Sequence, residues 1–328
     1  MNKTKNLDVK ELLFKIGPLL ALILLSLVLS FATDDFLQVN NLMNVLRQAS
    51  INSLIAVGML VIIITAGIDL SVGPQTALSI CVMGLAMKAG VTSTPILIVI
   101  GLATGTLTGL INGLLLTRLN LPHPFIATIG SRNIYRGIAL IVTGAAPIMG
   151  FPKGIQFLGG GTTFGIPNSF IIVIIVYTAM HIFLNRTELG RKIYSVGGNE
   201  EAARLSGINV KNVLTFVYTL CGFMCAFAGI VLVGRVNAAF PLAGQKFDMD
   251  AIAAVIIGGA SFFGGKGTVW GTLIGALLIT VIRNGLNLLS ASADVQLVAI
   301  GLVIILAVFI DVLRTRMEEK ARRLAQAE

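Results

Sequence analysis

The chain has 328 residues, 55% of them hydrophobic and 12% charged, with a mean hydropathy of +0.91. These fractions lie outside the range of a soluble globular domain and imply a polytopic membrane protein. The formal net charge of +9 invites a nucleic-acid reading, but the basic residues sit in loops beside apolar runs rather than along one face of a soluble fold, which argues against it.

The first 15 residues, "MNKTKNLDVKELLFK", form a basic tail ahead of an apolar run that ends in "SFA". A small-x-small end to such a run resembles a signal-peptide cleavage site. A run long enough to span, followed by nine further apolar segments, instead points to an uncleaved anchoring helix. Hydropathy and Gly/Pro punctuation predict ten helices, at 16–33, 46–66, 71–88, 95–117, 124–143, 168–185, 212–234, 248–263, 268–283 and 294–313. The transmembrane body is thus 16–313, with short or broken helices near its centre, and 314–328 forms a second tail.

Along the chain, the first polar interruption is "TAGIDLSVG", which sets Asp69 between Gly67 and Gly73. A carboxylate at membrane depth must be paired, hydrated or used to cap a helix, so Asp69 or Ser71 is expected to cap the helix near Val72 or to face a water-lined gap. His123 and His181 stand apart, and Cys81, Cys221 and Cys225 fall inside apolar spans, so neither a metal set nor a nucleophile–base pair is expected.

Farther on, "GGNEEAARLSGINV" (197–210) is polar and helix-like between two apolar runs. Asn199 is a candidate N-cap, Glu200 and Glu201 oppose the positive dipole end, and Gly207 supplies a left-handed C-terminal residue. About seven residues are too few for a stable isolated helix, so something must hold it: a docking partner, or the protein's own loops. "GGASFFGGKGTVWGTLIG" fails as a phosphate loop, because Gly267 follows Lys266 and Ala260 occupies the place of the first required glycine. Gly267, Gly271 and Gly275 read as a close-packing ladder, and the glycines of 258–265 as a tight reversal. A faint echo links "IIITAGIDLSVG" with "AVIIGGASFFGG", two apolar helices broken by glycine, the arrangement from which transporters build midplane sites.

Ten spans put both termini on one side. If that side is cytoplasmic, sixteen Lys and Arg residues face it, against Lys88, Lys153, Arg235, Lys246 and Arg283 outside; Arg47, Arg132 and Arg136 lie at or within helix ends. The positive-inside rule is satisfied, and the 197–210 tract faces the cytoplasm.

Flanked by "TELGRKIYSVGGN", that tract resembles the coupling loop of ribose-type sugar permeases, the membrane subunits of ATP-binding cassette importers. "VGMLVIIITAGIDLSVG" (57–73), "PFIATIGSRNIYRGIALIVTG" (124–144), "DAIAAVIIGGASFFGGKGTVWGTLIGALL" (250–278) and "NGLNLL" (284–289) are similar to the same family along nearly the whole chain. Two departures leave the exact sugar open: Asp248 stands where the family tends to have Glu, and Pro74 follows "DLSVG". The resemblance implies an all-α importer-permease fold and a coupling loop at about 186–211. In that loop Asn199, Glu200, Glu201, Ala202, Arg204, Leu205 and Gly207 would meet a separate ATPase subunit. It also implies a pathway or helix-break set of Asp69, Ser71, Gly73, Asp248, Asp250 and Asn284. The implied setting is a bacterial inner membrane, with a periplasmic or lipoprotein sugar-binding protein and a second permease copy or paralogue as partners. No cofactor, metal or catalytic residue is implied. An ion-coupled secondary transporter is the alternative, disfavoured by the scarcity of ionisable residues within the spans, and an intramembrane enzyme lacks any catalytic set.

Overall fold

The computed structural model describes residues 9–119, 121 and 123–327, with side chains described for 16–119, 121 and 123–313. Of the two tails, residues 1–8 and 328 lie outside this description, while residues 9–15 and 314–327 are helical. Each predicted apolar segment coincides with a helix: α1 (Val9–Ala32), α2 (Val39–Ile64), α3 (Val72–Lys88), α4 (Thr94–Thr117), α5 (Pro124–Thr143), α7 (Asn168–Arg186), α10 (Val210–Val236), α11 (Phe247–Ile257), α12 (Val269–Leu288) and α13 (Ala293–Ala327). Among the described residues, six helices are long and apolar enough to cross a bilayer: α2, α4, α7, α10, α12 and the Ala293–Leu313 part of α13. The structure therefore establishes a polytopic helical architecture, in which six of the ten predicted spans reach crossing length and apolarity among the described residues. The shortfall has physical causes. α3 has 17 residues, α5 carries Arg132 and Arg136, and α11 stops after 11 residues, about 16 Å of rise; α1 contributes the apolar stretch Ile16–Ala32 among the residues whose side chains are described.

α2 is the central post. Its second half, Leu54 to Ile64, is apolar all round and almost fully buried, as expected of a helix with protein on every side. α10, α12, α11 and α7 pack around it, while α3, α4 and α5 form a second cluster against α10. α13 lies at the periphery, with only 11% of its apolar window buried.

α4 and α10 meet through a seam of small residues. A Cβ added at Gly105 would overlap the Gly222 carbonyl and reach the Ala226 methyl at 2.5 Å. One added at Gly109 would overlap the Tyr218 carbonyl, and one at Gly113 would lie 2.8 Å from Thr215 Cα. Glycines at every fourth residue of α4 therefore let the two backbones touch, where dispersion rather than the hydrophobic effect holds membrane helices together. The predicted ladder on α12 works likewise, since Gly271 and Gly275 abut the Gly258 and Ala254 carbonyls of α11.

Of three further helices, two were not anticipated. α6 (Lys153–Gly160) closes one end of the bundle, in a stretch that reads as a loop, and packs on α10. α8 (Glu188–Gly198) and α9 (Glu200–Leu205) form the other end, of which only α9 was legible. Beside α6, β1 (Ile148–Met149) pairs antiparallel with β4 (Ala238–Ala239), Ile148 opposite Ala239, and β2 (Thr162–Thr163) pairs with β3 (Ile166–Pro167). The predicted helix at 248–263 ends early because Gly258 and Gly259 turn the chain, Gly259 at φ +90°.

Candidate functional site

Three groups of polar residues stand out in this apolar body: a buried knot at the α2–α3 break, a charged belt near the start of α11, and the exposed α8–α9 end.

At the break, Asp69 is wholly buried. Its carboxylate accepts from the Ser71 backbone N (2.7 Å) and Oγ (2.5 Å), from Gln75 Nε2 (2.9 Å) and from Asn112 Nδ2 on α4 (3.2 Å). Asn112 in turn donates to Ser71 Oγ at 2.8 Å and accepts from Tyr135 Oη on α5 at 3.0 Å. Ser71 holds the N-cap position of α3, yet its side chain makes no capping bond and turns to Asp69 instead. The expectation of a side-chain cap by Ser71 is thus corrected. Of the two candidates it is Asp69 that receives an N–H at the break, from Ser71 in an Asx-type turn, and its side chain is fully buried within the chain. A carboxylate with four donors around it satisfies the requirement that a buried charge be hydrogen-bonded. Gly73 serves close approach, because a Cβ there would overlap the Gly244 carbonyl.

In the belt, Arg132 Nη1 bonds Asp248 Oδ2 at 2.9 Å, with the aspartate side chain 3% exposed. Arg283 grips both oxygens of Asp250, at 3.1 and 2.5 Å. Arg136 donates to the Pro241 carbonyl, and Arg235 to Asn44 Oδ1 at 2.9 Å. Arg235 and Arg283, which the sequence places in outward loops, lie within α10 and α12, Arg283 as the partner of the buried Asp250 and Arg235 as the partner of the half-buried Asn44. Asn284 is not with this belt: it exchanges two hydrogen bonds with Asn41, at 2.7 and 3.1 Å, and ties α12 to α2. The six candidate pathway residues thus fall into the knot, the belt and a separate clasp. The arginines that complete the belt were missed as partners because each stands far from its aspartate in the chain.

At the α8–α9 end, Thr187 caps α8 by accepting from Gly190 N at 3.1 Å, and Lys192 pairs with Glu188 at 2.7 Å one turn on. α9 carries the anticipated signals. Asn199 Oδ1 accepts from Ala202 N at 2.9 Å, and Gly207 follows the last turn at φ +83°, where a side chain would be strained. Of its six residues only Ala203 is buried; Asn199, Glu200, Glu201, Ala202, Arg204 and Gly207 are exposed, and Leu205 is 76% exposed. Glu201 and Arg204 bond each other at 2.5 and 2.9 Å. That bond holds the Glu201 carboxyl below its ordinary value and raises the Arg204 guanidinium. α9 is thus a short, capped helix whose one large apolar side chain, Leu205, points into solvent.

Among the described residues no group of three His, Cys, Asp or Glu side chains could hold a metal. Buried polar networks lie within a mostly helical membrane body joined to an exposed helical end, and the sequence comparisons define the class as a membrane permease. Residues 41–308 match the family of branched-chain amino acid transport system permease components, and the chain belongs to that family. It is 42% identical over 300 residues to the ribose import permease protein of Bacillus subtilis, covering 90% of this chain and 92% of the relative. It is likewise 42% identical over 316 residues to the ribose import permease protein of Haemophilus influenzae, covering 94% and 97%. To the D-allose transport system permease protein of Escherichia coli it is 41% identical over 282 residues, 86% of each chain. No solved structure matches the chain.

Proposed function

We infer that this permease carries a monosaccharide, ribose or a close relative such as allose, into a bacterial cell as the membrane subunit of an ATP-binding cassette importer. A separate ATPase subunit drives it and an external sugar-binding protein feeds it. The substrate class rests on the functions of relatives that match nearly the whole chain. The coupling surface rests on one observation: α9 is capped at both ends, yet turns all but Ala203 toward solvent. A helix that only covered its own loops would bury an apolar face, and Leu205 does the opposite. Asn199, Glu200, Glu201, Ala202, Arg204, Leu205 and Gly207 form the docking face. Asp69, Ser71, Gly73, Asp248, Asp250 and Asn284 serve the pathway indirectly, by fixing the helix break and the belt that shape it. Ten crossings with both termini cytoplasmic place α9 on the ATP side, and two copies, or a copy and a paralogue, line one passage.

The test is ATPase bound per permease for Glu201→Lys and for Gly207→Val, together with D-ribose uptake. The first reverses a charge on the docking face, and the second forces a β-branched residue into a left-handed backbone. Normal amounts of permease in the membrane, with loss of bound ATPase and of uptake, are expected. Unchanged ATPase per permease together with unimpaired uptake would remove the assignment.

A further inference from the structure

α8 ends on Gly197 and Gly198, immediately before the docking helix, and that pair lies at a meeting point of three backbones. A Cβ added at Gly197 would overlap the Ile64 carbonyl oxygen at the end of α2, and would lie 2.8 Å from the backbone N of Gly265 in the α11–α12 reversal. The same Ile64 oxygen accepts a hydrogen bond from Gly265 N at 2.8 Å. One added at Gly264 would sit 2.7 Å from the Gly197 oxygen and 3.0 Å from Ala66 N, and one at Gly265 would sit 2.9 Å from Gly198 Cα. One turn back on α8, Tyr194 Oη donates to the Gly267 carbonyl at 2.8 Å. On its other side the reversal is held by Asp311 of α13, which accepts from Phe262 N at 3.0 Å.

The two glycine-broken segments whose likeness is faint in the sequence therefore touch each other, and both touch the root of α9. At this point no side chain intervenes that could absorb a displacement by changing rotamer, and close-packed backbone transmits strain instead of damping it. From Ile64 the chain runs through Ala66, at φ +58°, to Ile68 and Asp69. Ile68 O accepts from Tyr218 Oη at 3.3 Å, and Asp69 reaches α4 through Asn112 and from there α5 through Tyr135.

We propose that Gly197 and Tyr194 are positioning residues that gear the docking helix to both non-helical segments, so that a shift of α8–α9 moves the α2–α3 break and the α11–α12 reversal together. This gearing rests on the reading of α9 as the ATPase contact. Its distinctive consequence is that the joint can be loosened without touching the docking face: Gly197→Ala must lift α8 off the Ile64 carbonyl, and Tyr194→Phe removes one hydrogen bond and no volume.

Both variants, co-produced with the ATPase subunit, are reconstituted in liposomes with the binding protein and D-ribose. Two quantities are read: ATPase bound per folded permease, and ribose accumulated per ATP hydrolysed. The expected result is parental ATPase binding with sugar per ATP lowered about two- to thirty-fold, the range in which mutations along a coupled network act. A merely structural role would lower the melting temperature and leave that ratio alone. Parental sugar per ATP in folded Tyr194→Phe overturns the gearing, even where Gly197→Ala fails to accumulate. Loss of bound ATPase from either variant overturns it too, since the joint would then belong to docking. A parent permease that retains no ATPase sinks the docking reading, and the gearing with it, in a measurement separate from the ratio.

Discussion

Asp250 shows how completely a residue's role depends on its partner. Its side chain is 5% exposed and is held by both donors of Arg283, so Arg283→Ala leaves a buried charge alone, at a cost of about 3–5 kcal/mol. The double substitution Asp250→Asn with Arg283→Gln should recover most of that loss, and thermal unfolding of the detergent-purified variants checks both. Asp69→Leu is a separate case. It orphans the Ser71 N–H and Oγ–H, each at about 1–3 kcal/mol, and leaves Gln75 Nε2 and Asn112 Nδ2 only Ser71 Oγ as acceptor, whereas Asp69→Asn keeps an acceptor and should fold. At the docking helix the sign of the pH effect follows from the Glu201–Arg204 bond. The carboxyl titrates below its ordinary value, so its contribution is complete above the unfolded pKa and fades only as pH falls through the lowered folded one. ATPase binding is therefore expected to be flat between about pH 6 and 8, as far as this pair decides it, in a pull-down series across that range. What could be read from sequence at this scale was whatever acts within one turn: the Asn199 cap, the acidic first turn and the Gly207 bend all follow from neighbouring residues. The partners of Asp248 and Asp250 did not, because Arg132 and Arg283 come from other helices and hydropathy says nothing about which helix faces which.

At the level of elements, the apolar helices were legible because length and hydropathy are summed over many residues and survive local error. α6 and α8 were not, being 8 and 11 residues long and set among glycines that read as loop. The α4–α10 seam was open to discovery in the spacing of Gly105, Gly109 and Gly113, the same small-residue signal that was recognised on α12. It predicts a dissociation between insertion and folding. Gly109→Leu leaves α4 as hydrophobic as before, so the helix should still insert. Its side chain would strike the Tyr218 carbonyl and the Gly222 backbone, so the bundle should not close. Membrane fractionation should show normal amounts of a permease that has become sensitive to limited proteolysis.

For the molecule as a whole, two measurements bear on how it sits in the membrane and with what. A cysteine introduced between β1 and α6, on a background lacking Cys81, Cys221 and Cys225, should react with an impermeant thiol reagent from outside; reaction from the cytoplasmic side alone would invert the assigned orientation. A native mass of the detergent-purified assembly should contain two permease copies, and a single copy would remove the paired passage. Between these scales lies the turn at 241–246, which α3 presses through the Gly73–Gly244 approach while Arg136 of α5 holds the Pro241 carbonyl. A segment clasped from two helices has no hinge of its own, so its amide hydrogens should exchange with solvent at the slow rate of the helices that hold it, not at the rate of a free surface loop.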